Sequence, residues 1–231
     1  MRVSGLWRKI LSVLSILEPA DHMPRKTPLR KQPHKMRPVA QAAALRIIGG
    51  RFRGRKLAYH GDPQTRPMKD RVREALFNLL GPAVAGQHAV DPFAGTGALG
   101  LEALSRGAAR ATFIERHFPT ADVIRHNIKT LGVDDLCDVQ TANTLLWYRT
   151  AQLAHDRSWL VLCSPPYDLY VERLDELLAM IDHLNRNAPV GSQLAVEADA
   201  RFDFGRLPDA SDWDVRNYPP AFIGLRRVPP R

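Results

Sequence analysis

The chain has 231 residues, of which 45% are hydrophobic and 25% charged, a composition typical of a globular protein. Its two cysteines, Cys137 and Cys163, are isolated, which excludes a disulfide framework and a cysteine-based zinc site. No apolar run reaches the roughly 18 residues of a membrane-spanning helix. We therefore expect a cytoplasmic protein with no membrane partner.

The net charge of +9 is concentrated in the first third of the chain. Residues 1–44 hold nine Lys and Arg against two acids, residues 45–73 hold the same numbers, and the remainder holds 15 against 20. This asymmetry favours a polyanionic partner, either nucleic acid or an anionic membrane. Residues 1–44 are predicted to be a disordered basic arm, or to precede a later translation start at Met23 or Met36.

Residues 45–82 are predicted to form an extension made of a hairpin and a helix. Residues 45–48 and 51–57 read as two strands joined by a turn at Gly49 and Gly50. Residues 68–80 show helical apolar spacing, with Pro67 at the start and a Gly-Pro pair at the end.

Residues 83–231 alternate between strand and helix. Strands are predicted at 89–90, 111–114, 138–140, 159–163 and 193–197, and helices up to about residue 106, over 118–131 and over about 170–184. Two further strands at 213–218 and 221–227 favour an antiparallel hairpin at the sheet edge. The pattern predicts a Rossmann-like α/β domain with a mostly parallel sheet.

A glycine-rich loop, D-P-F-A-G-T-G-A-L-G at residues 91–100, joins the first of these strands to a helix. Glu115 ends the next strand, where a carboxylate can accept both hydroxyls of a ribose. Asp91 would repel a pyrophosphate and suits the ammonium of a methionine-like group, so the loop favours S-adenosylmethionine over NAD. A NAD-dependent oxidoreductase stays a distant alternative. Asn143, after the third strand, suits either an adenine edge or a helix cap.

A second motif, Ser164-Pro165-Pro166-Tyr167, follows the apolar strand at 159–163. Two prolines end a strand sharply, and the loop after a parallel strand lies at the ligand-binding edge of the sheet. The motif resembles the [D/N]-P-P-[Y/F] loop of amino-group methyltransferases. There the first side chain and a proline carbonyl accept hydrogen bonds from the target amine, and the ring stacks on the flipped base, without a metal. Ser164 is shorter than the usual Asp or Asn and uncharged.

Together with R-I-I-G-G at 46–50, T-R-P at 65–67 and the stretch at 70–78, these motifs resemble the RsmD type of bacterial guanine-N2 methyltransferases of 16S ribosomal RNA. The resemblance runs from about Leu45 to about Arg227. It implies a class I methyltransferase fold, S-adenosylmethionine as cofactor and a guanine exocyclic amine as acceptor. The cofactor-binding residues that it implies are Asp91, Phe93, Gly95, Thr96, Gly97, Glu115, Asn143, Thr65 and Pro67. Ser164, Pro165, Pro166 and Tyr167 would hold the target base.

The basic residues of the extension are candidates for phosphate contacts with small-subunit ribosomal RNA or an assembling 30S subunit. They are Arg46, Arg51, Arg53, Arg55, Lys56, Arg66 and Arg71. We expect a monomer. A DNA adenine amino-methyltransferase is a second hypothesis, because the Pro-Pro-Tyr loop does not distinguish the two bases. A third is an RNA-binding or ribosome-assembly protein that has lost turnover, which Ser164 would explain.

Overall fold

A seven-stranded sheet forms the centre of the protein in the computed structural model, which describes residues 45–59 and 68–230. The strands are β1 His88–Asp91, β2 Arg110–Glu115, β3 Cys137–Thr141, β4 Trp159–Cys163, β5 Gln193–Asp199, β6 Asp214–Tyr218 and β7 Ala221–Arg227. Their spatial order is β3-β2-β1-β4-β5-β7-β6. The first five are parallel, whereas β7 runs antiparallel to both β5 and β6. The predicted α/β class, with an antiparallel hairpin at the edge, is confirmed.

Helices cover both faces of this sheet. In the described part of the chain they are α1 Asp70–Leu80, α2 Ala98–Ser105, α3 Phe118–Leu131, α4 Thr144–Trp147, α5 Leu169–Glu172 and α6 Leu174–Asn187. Helices α1 to α3 share one hydrophobic cluster with the sheet, and α4 to α6 share the other. Strand β4 reads as a continuous apolar run because Leu160 and Leu162 face the first cluster and Val161 and Cys163 the second. None of these helices is long and apolar enough to cross a membrane.

The single helix predicted over about 170–184 is wrong, because the structure has two helices there. Between α5 and α6 the backbone of Arg173 leaves the helical region, with φ −139° and ψ 38°. The Tyr170 hydroxyl donates to the Glu197 carbonyl at 2.7 Å, so α5 is fixed to β5. Helix α6 packs its own apolar face, which includes Leu177 and Met180, on the sheet.

The two strands predicted at 45–48 and 51–57 are wrong in extent. The two legs pair through an isolated antiparallel bridge between Arg46 and Lys56 and a few flanking hydrogen bonds. A short 3₁₀ helix, Gly50–Phe52, stands where the second strand was predicted to begin. The backbone of the first leg is diverted from strand pairing because the N–H groups of Ile48 and Gly49 donate to the Glu102 carboxylate, at 2.7 and 2.8 Å.

Glu102 is therefore the anchor that fixes the extension to α2. This carboxylate is fully buried and also accepts from Arg106 Nε at 2.8 Å. The equally buried Arg73 of α1 lies 3.9 Å from it and donates to the Arg46 carbonyl at 2.6 Å. A Cβ at Gly50 would lie 2.0 Å from a backbone oxygen of α2, so this contact requires glycine. Because α2 follows the glycine loop, the extension is fixed to the helix that carries the candidate cofactor site.

Candidate active site

The carboxyl ends of the parallel strands bring the predicted site residues to one edge of the sheet. Asp91 ends β1, Glu115 ends β2, and Ser164 follows β4. The turn between β6 and β7 lies at the same edge, because Ala221 pairs with Asp199 at the end of β5. The site predicted from separate motifs is thus assembled by the strand order alone, as expected for ligand sites in open α/β sheets.

The glycine loop needs its glycines for two different reasons. Gly95 and Gly97 adopt positive φ angles of 51° and 76°, which side chains other than glycine rarely tolerate. Gly100 is required by packing instead, since a Cβ there would lie 2.3 Å from the ring of Phe113 on β2. The loop also contains Phe93, half-buried against the second cluster, and the buried Thr96.

Asp91 is a buried carboxyl group with an unused acceptor. Its side chain is 1% exposed, and Oδ2 accepts from the Gly100 N–H at 3.1 Å. Oδ1 is buried and has no hydrogen-bond partner among the described residues. Burial raises the pKa of Asp91 to about 7, with a smaller contribution from Glu115 and an opposing one from the Gly100 N–H. A buried acceptor without a donor is what a site for a cationic group would present.

Glu115 holds the glycine loop through a hydrogen bond to its backbone. Its Oε2 accepts from the Gly95 N–H at 3.0 Å, and its Oε1 accepts from the His117 N–H at 2.8 Å. The carboxylate is only half-buried, and each oxygen retains a lone pair for a further donor. The residue can therefore hold the loop and accept ribose hydroxyls at the same time.

Asn143 caps a helix that the sequence did not reveal. It precedes α4, and its Oδ1 accepts from the Leu145 N–H at 3.1 Å. Its side chain is exposed near the ends of β2 and β3. The helix-cap interpretation is thereby confirmed, and the contact with an adenine edge stays a prediction.

The Ser-Pro-Pro-Tyr loop converges on a residue that sequence reasoning missed, Glu197 of β5. The Ser164 hydroxyl donates to Glu197 Oε2, and the Tyr167 hydroxyl donates to Oε1 at 2.6 Å. Glu197 is only 7% exposed. Burial raises its pKa, while the two hydroxyl donors oppose that rise. The available sequence signal was a single acid within an apolar run, residues 194–198, near the carboxyl end of β5.

The carbonyls of the two prolines differ in their availability. The Pro166 carbonyl accepts from the Leu169 N–H at 3.0 Å as α5 begins. Among the described residues, no backbone N–H donates to the Pro165 carbonyl. Pro165 is thus the proline whose carbonyl suits the predicted acceptor of a target amine, beside Ser164.

The predicted phosphate-binding residues form an exposed basic surface on the extension. Arg46, Arg51, Arg53, Arg55 and Lys56 are all exposed. Arg46 pairs with Asp70 at 3.3 Å, and Arg55 donates to the Thr130 carbonyl at 3.0 Å. The Arg51 guanidinium lies over the Phe52 ring, 4.5 Å from its centroid.

The remaining predicted residues lie around the same extension. Arg71 is exposed on α1 and donates to the Pro219 carbonyl in the turn between β6 and β7. Thr65, Arg66 and Pro67 lie outside the described residues. Arg73, by contrast, is a buried structural cation, because it joins α1 to Glu102 and to the hairpin.

The glycine loop after β1, the acid that ends β2, and the reversed β7 between β5 and β6 define the class I methyltransferase fold. Solved structures that share this fold include one from Escherichia coli and one from Salinibacter ruber. The Escherichia coli protein yhhF, named as a methyltransferase, aligns with this chain at a TM-score of 0.67 and 31% sequence identity. The alignment covers 82% of this chain and all of yhhF. An RNA methyltransferase from Salinibacter ruber, solved with S-adenosyl-L-homocysteine, has a TM-score of 0.52 and 19% identity, covering 72% of this chain and 95% of that one.

Residues 45–203 match the family described as "Conserved hypothetical protein 95". Ribosomal RNA small subunit methyltransferase D of Escherichia coli is 34% identical over 171 residues, which cover 74% of this chain and 82% of that protein. The chain therefore belongs to this methyltransferase family, and the resemblance found in the sequence is confirmed. The match begins at Leu45, where the predicted basic arm ends.

Proposed function

We propose that the protein transfers a methyl group from S-adenosylmethionine to the exocyclic N2 of a guanine in small-subunit ribosomal RNA. Family membership and the resemblance of its motifs support the class of reaction and of substrate. The observation that carries the proposal is that the glycine loop and the Ser-Pro-Pro-Tyr loop meet at one edge of the sheet. An RNA substrate on ribosomal particles would place the protein in the cytoplasm.

The described residues fit S-adenosylmethionine. Asp91 has a buried oxygen without a donor, which suits the cationic amino-acid end, and Glu115 retains lone pairs for the ribose hydroxyls. Gly95 and Gly97 let the backbone approach the ligand closely. When bound, the cofactor supplies a methyl group on a positively charged sulfur, which a nucleophile takes directly.

The protein's part in that reaction is to orient the amine. A guanine N2 is conjugated with its ring, so its lone pair is poorly available until the nitrogen pyramidalises. Acceptors on its two hydrogens stabilise the pyramidal nitrogen more than the planar one. We assign this task to Ser164 Oγ and the Pro165 carbonyl, and Tyr167 offers a ring for stacking. No strong base or metal is required of this arrangement.

The test is methyl transfer from labelled S-adenosylmethionine to three substrates: unmodified small subunits, naked 16S RNA and duplex DNA. We expect label in ribosomal RNA, released as N2-methylguanosine after digestion to nucleosides. Label in DNA, released as N6-methyldeoxyadenosine, would select the DNA adenine hypothesis. Cofactor binding without transfer to any of the three substrates would select the non-catalytic hypothesis.

A further inference from the structure

We propose that Glu197 is a positioning residue for methyl transfer. Its carboxylate accepts a hydrogen bond from the Ser164 hydroxyl, so that Ser164 Oγ meets the target amine as a hydrogen-bond acceptor. The inference rests on the proposed function. It explains how a serine can stand where the [D/N]-P-P-[Y/F] loop has a carbonyl-type oxygen.

A free serine hydroxyl is an ambiguous group at this position. It carries one proton and two acceptor lone pairs, and it rotates to suit its surroundings. With the proton directed at the amine, Ser164 would oppose the amine hydrogens instead of accepting from them. An Asp or Asn oxygen has no such ambiguity, because it is an acceptor only.

The structure removes the ambiguity through β5. Ser164 donates to Glu197 Oε2, and a hydrogen bond to a carboxylate is about twice as strong as one between neutral groups. With its proton directed at Glu197, Ser164 Oγ has only lone pairs left for the target amine, and the residue is only partly buried. Glu197 itself is 7% exposed, so bulk water competes little for its oxygens.

The other contacts of Glu197 make it specific for this task. Tyr167 donates to Oε1 at 2.6 Å, so that each carboxylate oxygen holds one hydroxyl of the same loop. Tyr170 donates to the Glu197 carbonyl at 2.7 Å and fixes the backbone. A glutamine at 197 would have one acceptor oxygen for two hydroxyls, and its amide would have to donate to the other.

That conflict gives the central experiment. In Glu197→Gln, we expect single-turnover methyl transfer to fall about tenfold, the effect of one modest hydrogen bond, with unchanged cofactor affinity. In the Tyr167→Phe background the oxygen of the glutamine amide is free to accept from Ser164, so Glu197→Gln should reduce the methyl-transfer rate much less. In the Ser164→Ala background Glu197→Gln should not reduce the rate further, because there is no hydroxyl to orient. Asp199→Asn, two residues along β5, is the matched control and should keep the wild-type rate.

Several outcomes would overturn the proposal. One is a wild-type methyl-transfer rate in Glu197→Gln. Another is an equal loss of rate with and without the Ser164 hydroxyl. A third is a loss of rate that parallels losses of cofactor affinity and melting temperature. The last would assign Glu197 to holding the loop. Failure of the wild-type protein to methylate any RNA would contradict the proposed function instead, and is read before the variants are compared.

A second measurement needs no activity. The Ser164 hydroxyl bonds to the charged form of Glu197, so Ser164→Ala should raise the pKa of the Glu197 carboxyl in a ¹³C NMR titration. The ionisable groups that interact with Glu197, unchanged in this comparison, are Cys163, Tyr167 and Tyr170. Asp91 interacts with Cys163 and Asp199 with Tyr170, and both are also unchanged. An identical pKa in both proteins would show that Ser164 does not give its proton to Glu197, and would overturn the proposal.

Discussion

Replacing Asp91 by asparagine should make the ligand-free protein relatively more stable as the pH rises. The carboxyl group is buried, with one oxygen bonded to the Gly100 N–H and the other without a partner among the described residues. Its pKa is raised to about 7 from an ordinary 3.8. Asparagine keeps an oxygen for the Gly100 N–H and does not titrate.

The magnitude follows from proton linkage. A raised native pKa means that the folded protein keeps a proton that the unfolded chain has released. The resulting stabilisation is present at low pH and is lost as the pH rises through the native pKa. From about pH 5 to about pH 8 the wild-type protein should lose about 3 kcal/mol from this group, at about 1.4 kcal/mol per pKa unit over about two units. The Asp91→Asn variant should not lose it.

Urea unfolding of both proteins without ligand, at each pH, measures the difference directly. We expect the free energy of unfolding of Asp91→Asn relative to wild type to increase by about 3 kcal/mol between the two pH values. Asp122→Asn, on the exposed surface of α3, controls for the loss of a negative charge. The same Asp91 variant should bind S-adenosylmethionine at least about tenfold more weakly, because the cation loses its carboxylate. A stability difference that is independent of pH would refute the reasoning about burial, and an unchanged affinity would remove Asp91 from the cofactor site.

Three further predictions concern the RNA surface, the ribose and the amine. The double variant Arg53→Ala, Arg55→Ala should lower the slope of log RNA affinity against log salt concentration by about two. The control Arg149→Ala, beside α4 on the other face of the sheet, should leave this slope unchanged. An unchanged slope in the double variant would contradict phosphate contacts. Glu115→Ala should weaken cofactor binding about ten- to hundredfold by calorimetry, and unchanged affinity would place the ribose elsewhere. Ser164→Asn should retain or raise the single-turnover rate of methyl transfer. Ser164→Asp should have a lower rate than Ser164→Asn at neutral pH, because its carboxyl group lies beside the buried Glu197 and like charges resist ionisation. An Asp variant faster than the Asn variant would contradict this order.

The sheet could be predicted from the sequence because its signals are local. Strand β4 was predicted with its observed bounds from five consecutive apolar residues ahead of two prolines. Helix α3 has the bounds predicted for it, and Gly132, with φ 66°, follows its last residue. The placement of the cofactor loop and the Ser-Pro-Pro-Tyr loop at one edge then follows from the rule that ligands bind at the carboxyl ends of parallel strands.

The features that the sequence did not reveal depend on contacts between distant residues. The N–H groups at 48 and 49 donate to Glu102, more than fifty residues away, and so the hairpin has little strand structure. Helix α5, which ends at the break at Arg173, is held to the backbone of β5 by the Tyr170 hydroxyl. Neither contact leaves a periodic pattern, because each is made by a single side chain and is decided by tertiary packing.

Ser164 shows how such a contact changes the interpretation of a motif. In the sequence it is a departure that weakens the amine site, since serine is shorter than Asp or Asn and its proton has no fixed direction. In the structure the neighbouring strand places the Glu197 carboxylate behind the hydroxyl, where it accepts the Ser164 hydrogen bond. The Asp or Asn side chain combines reach and acceptor character in one residue, whereas here the acceptor lies on β4 and the charge that orients it lies on β5. On the proposed role of Glu197, a serine at this position is compatible with turnover when the adjacent strand places a buried carboxylate against it, and the motif has to be judged together with the end of β5.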